Sequence, residues 1–495
     1  MTAFLPVALL LTSLVPAGII FFLPDERERL RTVINLAGAV LKLALVGYML
    51  LSVMDGAVYE TRFPLVPGLD LWLRADPLAL LFISLSAVLW LLTTIYAIAY
   101  FEGGENLSRF FGFFSLCVAA TVGIALSGTA ITFFVFYELL TLATWPLVVH
   151  KGNEASLAAG RSYLAYTLAG SAVFLAGIVL LTASTGPIVF LEPPDMAAVE
   201  PWLARTAFVL MVGGLAVKAA MVPLHGWLPI AMAAPAPVSA LLHAVAVVKA
   251  GAFGIVRVIY DVYGTDVVQA LDLGLPLAVL ASITIVYGSF QALRQSDIKR
   301  RLAYSTVSQV SYIILGASLA GPFATIGGLV HLVHQGLMKI TLFFCAGLLD
   351  EKLKITRIDQ LDGIGRRMPL TMLAFSIGAL GMIGVPPTAG FISKWYLGIG
   401  GLQAGQTWVV FVLVGSSLLN AAYFLPLLYR TWFKPLPEMP ERDDTGVAGA
   451  VERPWGFVAP PLVTALAALL AGLLAASPLS PLAWATLIVE RAYLP

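Results

Sequence analysis

The sequence predicts an all-α polytopic membrane protein of fourteen helices, and three observations carry that prediction. Hydrophobic residues fill 59% of the 495 positions and charged residues only 12%, against about 25% charged in soluble domains. Apolar runs long enough to cross a hydrocarbon core of about 30 Å recur along the whole chain. Two of those runs are interrupted by prolines, which break a helix by removing a donor and crowding the preceding turn.

The runs fall at 3–23, 33–54, 76–100, 110–127, 129–149, 162–183 and 205–222, then at 237–262, 275–293, 302–319, 322–349, 370–398, 407–433 and 456–476. The first lacks a basic leader, and its apolar run exceeds the roughly 7–15 residues of a signal-peptide core, so it reads as a retained span. Residues beyond 479, with Trp484 and Tyr493, read as a short interfacial helix. The longest polar stretch, 434–455, reads as a flexible surface loop, and no soluble domain intervenes. Loops after odd-numbered spans, with the span ends that border them, hold 19 Lys and Arg, whereas those after even-numbered spans, with both termini, hold 4. The positive-inside rule then places both termini of this multi-pass chain outside, and the membrane expected is a bacterial or archaeal cytoplasmic one.

Several function classes lose their support. Net charge is +1, with no basic cluster for nucleic acid. Cys117 and Cys345 are too few for an iron–sulfur cluster, which takes about four thiolates. No Walker, GxGxxG or GxSxG motif occurs. Neither a cofactor nor a metal is expected, and the chain reads as a transporter subunit rather than an enzyme.

The candidate residues are charges inside apolar helices, each costing about 2.5–3.5 kcal/mol at a helix centre. Lys218, Lys249, Lys339 and Lys394 are of this kind, and Glu138 is read as the one carboxylate like them. A desolvated carboxylate needs a positive partner to stay ionised, and Lys218 is the natural candidate for Glu138; the bland reading is a carboxylate bonded to a neighbouring helix. Pro223, Pro229, Pro235 and Pro237 follow Lys218, and Pro386 and Pro387 precede Lys394. Paired broken helices of this sort are where transporters place ion sites. His243 precedes Lys249 by six residues, as a relay partner or as neutral packing. His331 and His334 share a helix face without further metal ligands nearby. His225, after Pro223, orients the broken helix or belongs to a water path. Lys42 admits three readings: functional group, partner contact or interfacial snorkel. Arg257 reads as an anchor near the outer end of its span, His150 as a solvated helix end, and the Asp297–Arg301 stretch as positive-inside anchoring.

The stretches KAAMVPLHGWLPIAMAAPAPVSALLHAVAVVKAG from Lys218, SDIKRRLAYSTVSQVSY and GVPPTAGFISK resemble the antiporter-like subunits of respiratory complex I and of Mrp-type multisubunit Na⁺/H⁺ antiporters. The likeness covers about 70–430, and within the superfamily the chain looks most similar to the Mrp D subunit or its membrane-bound hydrogenase equivalent. That resemblance implies helices one to three in 1–100, a first five-helix repeat in 110–262, an inverted second repeat in 275–433, and a last helix and tail in 456–495. It also implies a Glu138–Lys218 pair, a central connecting Lys249 with His243 beside the path, and Lys394 as the terminal lysine. One departure is visible. Relatives often carry two histidines four apart before the lysine of the eleventh span, whereas Gln335 stands at the second position here and His334 one earlier.

The function expected is a proton-translocating subunit of a multisubunit Na⁺/H⁺ or K⁺/H⁺ antiporter, with other hydrophobic subunits as partners. The same path in a redox-driven complex, or in a proton-coupled CO₂-hydrating complex, is the alternative.

Overall fold

A backbone crossing hydrocarbon must bond its own amides, which favours helices. The computed structural model describes residues 4–54, 56–66, 69–436 and 452–493. The chain opens with α1 (Leu5–Phe21) and α2 (Glu28–Met54), then a β-hairpin of β1 (Tyr59–Val66) and β2 (Leu69–Ala75). There follow α3 (Pro77–Tyr100), α4 (Leu107–Ala125), α5 (Ala130–Val148), α6 (Glu154–Thr185), α7 (Pro201–Lys218), α8 (Trp227–Ile230), α9 (Ala236–Ala244), α10 (Val247–Arg257) and α11 (Thr265–Ala270). The second half holds α12 (Gly274–Arg294), α13 (Ile298–Ser318), α14 (Pro322–Leu353), α15 (Pro369–Ile383), α16 (Ala389–Gln403) and α17 (Trp408–Phe433), and the chain closes with α18 (Trp455–Leu473) and α19 (Pro481–Ile488).

Each of the fourteen apolar runs lies on helix, but two are divided. Run 237–262 splits into α9 and α10, ending in a π-helical turn at Val258–Tyr263. Run 370–398 splits into α15 and α16. Among the described residues eleven helices, taking Ala236–Tyr263 as one, are long and apolar enough to cross a membrane. α13 is long enough but not among them: Ser305, Thr306, Ser308, Gln309 and Ser311 line it, all of them buried. A polar helix held inside a membrane bundle needs a reason, and the site supplies one below.

The core is built around α14, which packs against α9, α13, α15, α16 and α18. The most apolar stretches of α14 and of 236–263 are wholly buried, whereas those of α2 and α17 are one-third buried. Capping side chains set several helix starts: Asp76 accepts from the Ala79 amide at 2.8 Å, Asn153 from Ser156 at 2.9 Å and Asp297 from Arg300 at 2.8 Å. Such caps satisfy amides that a helix leaves orphaned.

Three features depart from the sequence expectation. Tyr59–Val66 and Leu69–Ala75 pair as antiparallel strands from Tyr59↔Ala75, with the Arg62 guanidinium 3.2 Å from the centroid of the Trp72 ring. The tail after 479 forms a short helix, α19, but it is packed onto the bundle. Trp484 donates to the Pro77 carbonyl at 2.8 Å, and Tyr493 stacks on Tyr260 at 4.3 Å. The loop expected at 434–455 lies mostly outside the described residues, but its end is tied to the start of α15: Glu452 accepts the Thr371 amide at 2.7 Å and the Leu370 amide at 3.3 Å. A carboxylate at a helix start complements the dipole.

Candidate functional site

α7 stops at Lys218 because the chain turns there: Ala220 has φ 55°, and Pro223 follows. The groups freed by the break are met by protein. The Val217 carbonyl accepts from Trp227 Nε1 at 2.8 Å, and Thr284 Oγ1 accepts the Val222 amide at 3.2 Å. Lys218, fully buried, donates to the Tyr137 carbonyl at 2.5 Å and lies 3.3 Å from the centroid of the Tyr137 ring. The Glu138 carboxylate acts on it electrostatically but is not within 4.0 Å, and Glu138 Oε1 has no hydrogen-bond partner. The two expected partners are therefore not in contact: Lys218 takes the carbonyl of Tyr137, the residue before Glu138. His225 packs edge-on against Tyr287, at 5.1 Å.

A second interruption falls where the sequence holds neither proline nor glycine. At Val245 and Ala246 the helix opens, with the Ala246 amide reaching back to the Leu241 carbonyl at 3.0 Å. That places His243 at the end of α9 and Lys249 in the first turn of α10. Lys249 donates to the Leu332 carbonyl of α14 at 2.7 Å. His243 stacks on Phe343 at 4.4 Å, and neither ring nitrogen has a protein partner.

α14 carries His331, Gln335 and Lys339 at successive four-residue steps, hence on one face. His331 Nδ1 meets Ser393 Oγ at 2.8 Å, and its ring lies 5.1 Å from that of Tyr312. Lys339 donates to the Leu302 carbonyl at 3.1 Å and to Ser305 Oγ. His334, although off that face, is also fully buried with both ring nitrogens unpartnered. Lys394, half-buried, reaches back across the second break to the Met382 and Ile383 carbonyls at 3.0 and 2.7 Å, and to Ser417 Oγ at 3.0 Å. Gly384, at φ 91°, makes that turn, and Pro386 and Pro387 hold it open. α18 closes behind it so tightly that a Cβ on Gly472 would overlap the Pro387 carbonyl oxygen.

Lys218, Lys249, Lys339 and Lys394 thus share a chemistry. Each is held by carbonyls or hydroxyls, and among the described residues none has a carboxylate within 4.0 Å. The same interior holds buried polar atoms without a protein partner: both side-chain polar atoms of Gln309 and Gln335, both nitrogens of His243 and His334, His331 Nε2 and the Tyr312 hydroxyl. Buried polar groups left without protein partners are those that water bridges. An ammonium has three donors, so Lys249, with one protein partner, has two to offer such a chain.

The sequence reading missed Gln309 and Tyr312, whose signal was the density of Ser, Thr and Gln in STVSQVSY. It also misjudged three cations and a carboxylate. Arg301 is no headgroup anchor: it is buried and donates to the Tyr423 carbonyl at 2.7 Å. His150 is not solvated but half-buried, 5.0 Å from the Phe110 ring. Arg257 is 1% exposed and paired at 2.6 Å with both Asp76 and Asp261, so Glu138 is not the only carboxylate inside an apolar helix. Lys42 is fully buried, donating to Ser13 Oγ at 3.0 Å with the Trp90 ring 4.3 Å away, which rules out snorkelling.

Relatives share this arrangement of helices. The chain is 37% identical over 429 residues to NADH-quinone oxidoreductase subunit N of Desulforudis audaxviator (strain MP104C), covering 84% of each. It is 33% identical to hydrogenase-4 component B of Escherichia coli (strain K12) over 69% of this chain, and 30% identical to the A/B subunit of the probable K⁺/H⁺ antiporter of Rhizobium meliloti (strain 1021) over 93%. Of those two relatives it spans about half the length, 52% and 46%. A chain in the structure of the Mrp complex from Dietzia sp. DQ12-45-1b superposes with a TM-score of 0.87 at 26% identity, covering 99% of this chain and 97% of that one. One in respiratory complex I from Thermus thermophilus with bound NADH gives 0.81 at 25%, covering 98% and 99%. The family model described as NADH:quinone oxidoreductase/Mrp antiporter, TM, matches residues 127–420. On that match and on the first of these relatives, the chain belongs to the NADH:quinone oxidoreductase/Mrp antiporter transmembrane family.

Proposed function

We propose that this chain moves protons as an antiporter-like subunit of an Mrp-type monovalent cation/H⁺ antiporter, along Lys218, Lys249, Lys339 and Lys394 with His243 and His331 beside the path and Glu138 biasing its first amine. The observation that carries the reading is the set of intramembrane amines without contacting carboxylates, Lys218, Lys249 and Lys339 fully buried and Lys394 half-buried, in an interior that also holds buried polar atoms lacking protein partners. An amine held only by neutral oxygens can give up its proton without leaving a buried carboxylate unpaired. Moving one charge across the membrane is worth about 2.3 kcal/mol per 100 mV, so the file must be gated. The Lys218 ammonium, which has both the Tyr137 carbonyl and the Glu138 carboxylate to choose from, is the gate. Pro223, His225, Pro386 and Pro387 shape the two breaks that let it and Lys394 move.

The lengths of the elements support an inverted pair of repeats. α6 and α14 each run 32 residues, and a broken helix follows each. With Lys and Arg counts of 19 against 4, the hairpin end faces outward, as do both termini. One observation favours a redox-driven complex instead: the relative at 37% identity over 84% of both chains is named as a NADH-quinone oxidoreductase subunit. Copurification with mass spectrometry separates the two, since partners rich in Cys clusters belong to the redox machine. For proton translocation itself, Lys218→Ala and Glu138→Ala are compared in inverted vesicles. Both lose the cation-driven pH response, and an unchanged response in both sinks the reading.

A further inference from the structure

Arg257, Asp76 and Asp261 form a closed ionic cluster that the amine file does not use. Arg257 Nη2 stands 2.6 Å from Asp76 Oδ2, and Nη1 stands 2.6 Å from Asp261 Oδ2. The side chains are 1%, 5% and 0% exposed respectively. One guanidinium faces two carboxylates, so the ionised cluster carries a net negative charge in the interior. Removing such charge from water without full pairing is costly. Asp261 Oδ1, Arg257 Nε and the Tyr493 hydroxyl have no hydrogen-bond partners.

Each group around Asp261 can be named. Arg257 comes from its own helix, Asp76 from the cap of α3, and Tyr493 from the tail, beside the Asp261 carboxylate. Tyr260 is engaged elsewhere, with Thr325 Oγ1 at 2.6 Å. Asp261 and Tyr493 each sit on a π-helical turn, at Val258–Tyr263 and Val489–Tyr493, and the two turns meet through the stacked rings of Tyr260 and Tyr493. Such turns gather at functional sites. Asp261 and Lys249 lie on the same stretch, twelve residues or about 18 Å apart at the helical rise. Between them Phe253 stacks on Phe82 at 4.8 Å, an aromatic plug whose Phe253 ring is also 5.1 Å from the Arg257 guanidinium.

We propose that Asp261 is a proton-holding group on the outer side of that plug, an exit station for the path. The inference rests on the proton-translocation reading above. The step is a transfer alone: a proton released into the path by the Lys249 ammonium, which becomes the neutral amine, bonds to Asp261 Oδ1 and neutralises the cluster, and its departure to outer water regenerates the carboxylate. A metal cation suits the place less well, because the guanidinium holds one oxygen of each carboxylate and a hard cation takes several oxygen ligands.

The test uses the complex purified with its own partners and reconstituted in proteoliposomes. Infrared difference spectra across a pH titration read the carboxylic-acid carbonyl band, and a pH-sensitive dye reads translocation. Asp261→Asn is expected to delete a titrating band and to slow translocation on the order of tenfold or more. Asp261→Glu, which keeps the ion pair, is expected to move that band without deleting it, and it serves where the Asn variant does not assemble. An assembled Asp261→Asn complex with wild-type translocation, or an Asp261→Glu complex whose spectrum matches wild type, overturns the proposal and leaves the cluster as a pin between α3 and α10. A parallel Lys218→Ala complex separates the two readings. If it transports normally, translocation through this chain falls; if it is blocked while Asp261→Asn is not, only the exit station falls. The infrared arm reports proton occupancy in either case.

Discussion

The two broken helices do the same thing to the backbone and different things to their lysines. After α7 the amine leaves its own helix and takes a carbonyl from α5, one residue from a carboxylate, inside a fully buried pocket. At the second break Lys394 turns back onto the carbonyl end of α15, gains Ser417, and has no carboxylate beside it. A cation there complements the helix dipole. It also lines a largely apolar cavity of about 630 Å³ with Trp395, Leu402, Val414 and Leu418 on its rim, all more than half exposed. The first amine is enclosed and lies beside a carboxylate-bearing turn, whereas the second is held by carbonyl dipoles and is open from the side.

Accessibility gives the largest contrast. Lys394→Cys in the isolated subunit should react with a lipid-soluble maleimide on the order of tenfold faster than Lys218→Cys, because thiol reaction follows exposure. Equal labelling would erase the distinction between an enclosed amine and a laterally open one. The turns themselves give a medium effect of opposite sign. Gly384→Ala puts a Cβ at φ 91° and 2.9 Å from Lys394 Cδ, and should cost about 1–2 kcal/mol. Ala220→Gly at φ 55° relieves the same left-handed strain and should stabilise by about 0.5–1 kcal/mol after the loss in unfolded-state restriction. Thermal unfolding in detergent, followed by tryptophan fluorescence, measures both. A loss in both would mean that the Ala220 methyl is needed for packing.

The smallest effect lies just past the end of α5, the helix that serves the first break. Burial, then the charge of Arg109, lowers the pKa of His150 to about 4 from 6.5. Between those values the unfolded chain binds a proton that the folded chain refuses, so stability falls as pH falls through that window. His150→Gln should flatten this acid loss without altering the melting temperature at pH 8. A slope that survives the substitution assigns the acid sensitivity to another group.

How much of this was legible follows from what leaves a mark on residue identity. A lysine inside an apolar run is visible in any reading, and so are Pro223, Pro386 and Pro387 as breaks. The opening at Val245 and Ala246 is not, because it is imposed by packing against α14, where Gly336 lets the Ala244 carbonyl approach. The partners of the amines were invisible for a simpler reason. Tyr137, Leu332, Leu302, Met382 and Ile383 offer backbone carbonyls, which every residue has. Arg257 looked like an anchor because Asp76, 181 positions earlier, is joined to it only by the fold. The hairpin was passed over because 59–75 is too short to span and was read as a connection.

The contact of Gly472 with Pro387 has a mechanical corollary. With its flank pressed on that carbonyl, α18 works as a splint: the hinge at Pro386 and Pro387 can flex only if the whole rod slides or tips. Thr464 bonded to Thr341 at 2.7 Å fastens the same rod to the helix bearing Lys339. A tug on α18 from a neighbouring protein would therefore be felt at two amines at once.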